Sequence, residues 1–144
     1  MKLDTNGYAK LHEREGLRLK PYLDTRGIPT IAMGNITYLD GRKVTMEDRA
    51  LTLEEANELG KLTADKFALE VDKLVKSDVN QNQFNALVSL AYNIGLNGFK
   101  NSTVLRLVNA NPDNGKIQEA FMMWTKNPEL VGRRKSEVKQ YFKL

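Results

Sequence analysis

The chain has 144 residues, no cysteine and one histidine, and its 22 Lys and Arg against 18 Asp and Glu give a net charge of +4. A chain of this length can bury a core as one domain without disulfides or metal. The lack of cysteine excludes thiolate nucleophiles and Cys-ligated zinc, and the lone His12 excludes a multi-histidine metal site. The basic excess suits a polyanionic partner, such as cell wall, nucleic acid or an acidic membrane surface, but equally an ordinary soluble basic protein.

The sequence carries no sign of membrane insertion or export. No apolar run approaches the ~20 residues that span a bilayer. The N-terminal segment MKLDTNGYAK lacks the apolar stretch of a signal peptide. We therefore expect no stable membrane insertion.

Residues 5–15 predict a first helix, which Thr5 or Asn6 can cap. Gly16 follows, as glycine often does just past a helix end, so Glu15 falls at the C-terminus of this helix. The helical phase also places Glu15 on the face that carries the apolar residues. A carboxyl in partly apolar surroundings suits a general acid, although an ordinary surface Glu fits the same pattern. His12, one turn earlier, is either a packing residue or a group that tunes this acid.

Residues 17–45 predict short antiparallel strands, because apolar and β-branched residues alternate with turn formers. Asp40 and Gly41 form a dipeptide typical of a hairpin turn. Asp24 and Thr30 lie in this region. Taken alone, Asp24 fits a turn residue that bonds its own backbone, and Thr30 fits a plain strand residue.

Helical spacing dominates the rest of the chain. A long helix over about 52–76 opens with a capping pair, Thr52 and Glu55, and is weakened by Gly60. Four further helices are predicted: from Asn80 to Gly95, from Ser102 or Thr103 to before Pro112, near 117–124 and over 129–142. The fold class is thus α+β, mostly α. We predict a single domain over 1–144 with two lobes: a small β-hairpin lobe (about 16–50), the connecting helix (about 52–76) and a helical lobe (about 77–144) that includes the N-terminal helix.

One stretch carries a specific pattern. Glu15–Asn35 reads EGLRLKPYLDTRGIPTIAMGN, with the spacing E-x8-D-x5-T. It resembles the pattern E-G-L-R-L-x-x-Y-x-D-T-x-G-x-x-T-I-G-x-G-H of the phage-type lysozymes, the endolysin muramidases of glycoside hydrolase family 24. Only Ala32, for Gly, and Asn35, for His, depart from it. The segments FNALVSLAYNIG, NST and W…GRRKSEV…F extend the resemblance from about Gly7 to Phe142.

The resemblance implies a lysozyme-like, two-lobed fold and a hydrolase of bacterial peptidoglycan. The cut would fall between N-acetylmuramic acid and N-acetylglucosamine, with inversion. Glu15 would be the general acid, Asp24 the base or electrostatic partner, and Thr30 a residue that helps to place the water. No cofactor, metal or nucleic acid is implied, and we expect a monomer.

The resemblance also implies roles outside the catalytic stretch. Asn93, Gly95, Ser102 and Arg133 or Arg134 would contact the glycan or hold the lobes together, although Arg133 and Arg134 fit a solvated basic turn equally well. Trp124 is interpreted as a core residue rather than a sugar platform. The protein would stay in the host cytoplasm until a holin pore or a virion brings it to the wall.

Two other functions stay open at this stage. A lytic transglycosylase needs the acid but no water-activating base, so Asp24 and Thr30 argue against it. A non-catalytic wall-binding or virion module of the same fold is kept open by Ala32 and Asn35. A nucleic-acid binder fits less well, because the basic residues are scattered and no binding motif accompanies them.

Overall fold

The computed structural model describes residues 1–143, so Leu144, the end of the predicted helical lobe, lies outside the described residues. The α+β, mostly helical class is confirmed. The elements in chain order are α1 (Thr5–Glu15), β1 (Arg18–Leu23), β2 (Pro29–Ala32), α2 (Leu53–Leu74), α3 (Gln81–Ile94), α4 (Leu96–Lys100), α5 (Thr103–Ala110), α6 (Ile117–Met122) and α7 (Leu130–Tyr141). None of the helices in this part of the chain has the length and apolar character needed to cross a membrane.

The chain forms two compact units. Unit 1 comprises Met1–Gly7 together with the chain from Asp65 onward, and unit 2 comprises Tyr8–Ala64. The boundaries fall inside α1 and α2, so each of these helices contributes residues to both units.

Helix α1 occupies the predicted range, but its cap differs from the prediction. The backbone N–H of Gly7 donates to Oδ1 of Asp4 at 2.8 Å, so Asp4, and not Thr5 or Asn6, caps the helix. The same oxygen accepts a bond from Nδ2 of Asn85 at 2.8 Å. A β-carbon on Gly7 would lie 2.6 Å from the Asn85 side chain, so only glycine allows this close approach.

The sheet of unit 2 consists of two antiparallel strands. Tyr22 lies opposite Thr30 and Leu23 opposite Pro29, whereas the next pair is Arg18 with Ala32. The four residue steps from Arg18 to Tyr22 on β1 thus span the same length as the two from Ala32 to Thr30 on β2, so β1 contains an irregularity like a β-bulge. The predicted hairpin turn at Asp40–Gly41 is also present, since Thr37 pairs with Lys43 across it.

Ala32, which replaces the family's glycine, has a positive φ of 57°. This left-handed conformation costs a non-glycine residue roughly 1–2 kcal/mol. The methyl group is 1% exposed and belongs to the core cluster of Ile31, Ala32, Val44, Ala56 and Leu59. Burial of one such group stabilises by about 0.8 kcal/mol, which offsets part of the strain.

Asn35, which replaces the family's histidine, ties the end of β2 to α2. Its Nδ2 donates to Oγ1 of Thr63 at 2.5 Å and to the carbonyl of Leu59 at 3.4 Å. Its Oδ1 accepts the backbone N–H of Met33 at 3.1 Å. The neutral amide of Asn35 thus makes three hydrogen bonds here without an ion pair.

Helix α2 begins with the predicted capping box. The N–H of Glu55 donates to Oγ1 of Thr52 at 3.1 Å, and the N–H of Thr52 donates to Oε1 of Glu55 at 2.9 Å. The helix continues through Gly60, where a β-carbon would lie 2.9 Å from Sδ of Met33. Gly60 therefore allows Met33 to pack against the helix backbone.

Unit 1 is centred on α3, which starts with the predicted capping box of Asn80 and Gln83 and packs against α7. Gly95, with φ 91°, ends α3 and directly precedes α4, a short helix that was not predicted. The segment carries Gly98, a poor helix former. A β-carbon on Gly98 would lie 3.4 Å from the Trp124 ring, which is an ordinary van der Waals distance, so packing does not explain the glycine.

Asn35→Ala should lower the free energy of unfolding by about 2–3 kcal/mol, because it removes the three hydrogen bonds that the buried Asn35 amide makes. Urea unfolding of both proteins measures the difference. Asn57→Ala is the matched control, since Asn57 lies in the same unit and its side chain makes no hydrogen bond within residues 1–143. Equal stability of the two variants would show that Asn35 is not the anchor of β2.

Candidate active site

The carboxyl of Glu15 lies at the end of α1. Gly16 has a φ of 75° and its N–H bonds the carbonyl of His12 at 2.8 Å, so the chain turns sharply after Glu15. The side chain is half-buried and its Oε1 is shielded from solvent. Burial lowers the pKa of His12, one turn earlier, and so favours its neutral form near pH 7.

Asp24 lies in the tight turn between β1 and β2. Its Oδ1 accepts the backbone N–H groups of Arg26 at 2.8 Å and Ile28 at 2.9 Å. The bond from Ile28 is the main reason that the pKa of Asp24 lies below its ordinary value of 3.8, with smaller contributions from the N–H and guanidinium of Arg26 against an opposing effect of burial. The same hydrogen bonds therefore hold the turn together and favour the ionised form of Asp24.

Thr30 is 2% exposed and lies on β2 opposite Tyr22. Its hydroxyl donates to the carbonyl of Ile28 at 2.7 Å. The hydroxyl proton is thus committed to the backbone, and what Oγ1 can offer to a ligand is a lone pair. Ile28 links the two residues, since its N–H bonds Asp24 while its carbonyl bonds Thr30.

Tyr22 is related to each of the three predicted residues. It lies across the sheet from Thr30, and its phenol lies close enough to both Glu15 and Asp24 for their charges to raise its pKa. The guanidinium of Arg18 stacks on its ring, 4.5 Å from the ring centre. Both Arg18 and Tyr22 stand in the matched pattern, but the sequence reasoning gave neither a role.

Unit 1 holds the other predicted site residues, and three of them belong to one network. The buried carboxylate of Glu137 accepts bonds from Arg134, from Nε of Arg133 at 3.2 Å and from the Ser89 hydroxyl at 2.5 Å. Arg134 also donates to Oδ1 of Asn93. Glu137 therefore positions Arg133 directly and Asn93 through Arg134. Arg134, which is fully buried, is not a solvated basic residue.

Ser102 lies apart from this network. It caps α5: its Oγ accepts the N–H of Leu105 at 3.0 Å and donates to the carbonyl of Phe99 at 2.7 Å. The residue is 6% exposed. These contacts support a capping role, and a contact with the glycan stays a prediction.

A separate pocket of about 330 Å³ in unit 2 contains none of the three predicted catalytic residues. Its basic groups are paired within its own wall: Arg49 binds Glu55 at 2.8 Å and Arg42 lies 3.6 Å from Asp48. Within residues 1–143, no group of three or more His, Asp or Glu side chains could hold a metal ion.

A mostly helical fold with a small antiparallel hairpin sheet is that of a lysozyme-like protein. The sequence model of the phage lysozyme family matches residues 12–137. The endolysin of Salmonella phage P22 is 39% identical over 141 residues, which cover 95% of each chain. This chain therefore belongs to the phage lysozyme family.

Two solved structures are similar over 99% of this chain. The endolysin from Escherichia coli O157:H7 phage FAHEc1 has a TM-score of 0.89 and 34% identity, and 94% of that chain is covered. The muramidase domain of SpmX from Asticaccaulis excentricus has a TM-score of 0.85 and 28% identity, and 99% of it is covered. The lysozyme-like fold expected from the sequence is confirmed.

A carboxyl titration followed by NMR should give Asp24 a pKa below 3.8. Because the folded pKa is lowered, the stability that this group contributes is present above pH 3.8 and is lost as the pH falls through the folded value. Arg26→Gln should leave the pKa below 3.8, because the Ile28 N–H is the larger cause. A pKa at or above 3.8 in the parent protein would contradict the hydrogen-bonded turn.

Proposed function

We propose that this protein is a lysozyme that hydrolyses the β-1,4 bond between N-acetylmuramic acid and N-acetylglucosamine in bacterial peptidoglycan. The observation that supports it best is the pair of carboxyls around Tyr22: one at a helix end, and one held ionised in a tight turn. Glycosidases use such a pair, in which one acid protonates the leaving oxygen and the other acts as a base or nucleophile.

Glu15 is the general acid in this proposal. It lies half-buried at the C-terminus of α1, and its Oε1 is shielded from solvent. Its proton goes to the glycosidic oxygen as the bond to the anomeric carbon breaks.

Asp24 and Thr30 place the attacking water. Asp24 is the ionised partner that takes one proton from the water as its oxygen bonds the anomeric carbon. Oγ1 of Thr30 accepts a hydrogen bond from the other O–H of the water, which stays on the product, because the Thr30 proton is bonded to Ile28. The family resemblance implies inversion, which requires the two carboxyls to stand about 6.5–9.5 Å apart so that water fits beside the sugar.

Asn93 and Arg133 are the proposed glycan contacts in unit 1. The Oδ1 of Asn93 accepts a bond from Arg134, which leaves its Nδ2 as the donor for a sugar oxygen. Ser102 belongs to the same prediction, although its capping bonds already engage its hydroxyl.

The biological setting is part of the proposal. The protein acts as a monomer on the cell wall after release from the host cytoplasm, through a holin pore or from a virion. Its net charge of +4 favours approach to an anionic wall. No cofactor takes part in the reaction.

Incubation with purified peptidoglycan should release muropeptides that end in reducing N-acetylmuramic acid, as detected by mass spectrometry. Glu15→Gln should fold normally and release no product above background, because the amide cannot supply the proton. Anhydro ends would identify a lytic transglycosylase and remove Asp24 and Thr30 from the mechanism. No product from a folded, wall-binding parent protein would indicate the non-catalytic module instead.

A further inference from the structure

The hydroxyl of Tyr22 forms no hydrogen bond within the part of the chain that the structure describes. Two other tyrosines differ: the hydroxyl of Tyr38 donates to Asp48 at 2.6 Å, and that of Tyr141 donates to the carbonyl of Pro112 at 2.6 Å. Tyrosine hydroxyls in partly buried positions usually find a partner. The hydroxyl of the half-buried Tyr22 is therefore available to a ligand, and the charges of Glu15 and Asp24 act on it.

The ring of Tyr22 is nevertheless held in place. Arg18 covers one face at 4.5 Å, a distance at which a guanidinium attracts an aromatic ring. The backbone of Tyr22 is paired with Thr30 across the sheet. Tyr22 thus has a ring in a fixed position and a hydroxyl that makes no hydrogen bond within residues 1–143.

Burial is the main reason that the hydroxyl of Tyr22 keeps its proton. Burial raises the pKa of the phenol, Arg18 opposes this rise, and the carboxylates of Glu15 and Asp24 add to it. The hydroxyl therefore stays protonated at any pH at which a lysozyme acts, and can both donate and accept a hydrogen bond.

We propose that Tyr22 is a further substrate-contacting residue, whose hydroxyl bonds a hydroxyl or acetamido group of the sugar that lies between Glu15 and Asp24. The inference rests on the proposed function, because it places the glycan beside these two acids. A protein donor fixed at this position orients the sugar relative to both carboxyls, and orientation of this kind lowers the barrier to reaction. Arg18 acts through Tyr22 as a positioning residue.

Tyr22→Phe tests the proposal, because it keeps the ring and its contact with Arg18 and removes only the hydroxyl. The matched control is Tyr38→Phe: in the same unit, Arg42 stacks on Tyr38 at the same 4.5 Å, but the Tyr38 hydroxyl is bonded to Asp48. The measurements are kcat/KM on soluble peptidoglycan fragments and the urea midpoint of unfolding.

The two variants should behave in opposite ways. Tyr22→Phe should lose about tenfold in kcat/KM, as expected for one hydrogen bond to substrate, and keep its urea midpoint. Tyr38→Phe should keep kcat/KM and unfold at lower urea. The proposal is overturned if Tyr22→Phe stays within twofold of the parent in kcat/KM, or if it loses stability as Tyr38→Phe does.

A binding measurement separates this inference from the proposed function. In the Glu15→Gln background, where no cleavage is expected, calorimetry with an uncleaved glycan fragment should show a Kd that Tyr22→Phe weakens about tenfold. Unchanged affinity overturns the contact even if the parent is an active lysozyme. Weakened affinity in a protein without hydrolytic activity would support the contact while the proposed catalytic function fails.

Discussion

The turn that Asp24 closes is the constraint on which the site depends. One carboxylate oxygen accepts two backbone N–H groups, which fixes the path from β1 to β2 and favours the ionised acid. The same turn leads into β2, where Ile28 bonds both Asp24 and Thr30. Geometry and charge are therefore coupled: a substitution that loosened the turn would also change the ionisation of the group that is proposed to activate water.

The two departures from the family pattern lie on the other end of β2, and the structure accommodates both. Ala32 takes up a left-handed conformation that glycine would adopt without strain, and recovers part of the cost because its methyl is buried. Asn35 bonds Thr63, Leu59 and Met33 through a neutral amide. Because Asn35 carries no charge, the stability that its hydrogen bonds contribute should depend little on pH, unlike that of an ion pair formed by a histidine. Neither substitution touches the hydrogen bonds of Asp24 or Thr30.

The sequence predicted those features that local chemistry determines. The capping boxes of α2 and α3 were predicted because both partners lie three residues apart, as were the range of α1 and the turn at Asp40–Gly41. The cap of α1 was predicted at Thr5 or Asn6 instead of Asp4, because all three are consecutive polar residues that can cap a helix. The part played by Tyr22 could not be predicted, because it depends on contacts between α1, the turn after β1 and β2. Arg134 and Glu137 stand three residues apart on α7, but this spacing is equally typical of an exposed ion pair, so the burial of the pair could not be read from it.

The most direct test of the mechanism is the anomeric configuration of the product at the moment of its release. Proton NMR of a soluble peptidoglycan fragment during the first minutes of cleavage distinguishes the two anomers before they interconvert. If Asp24 activates a water on the face opposite the leaving group, the α-anomer appears first from the β-linked substrate. Initial appearance of the β-anomer would show retention, and would contradict the account in which Asp24 and Thr30 hold the attacking water.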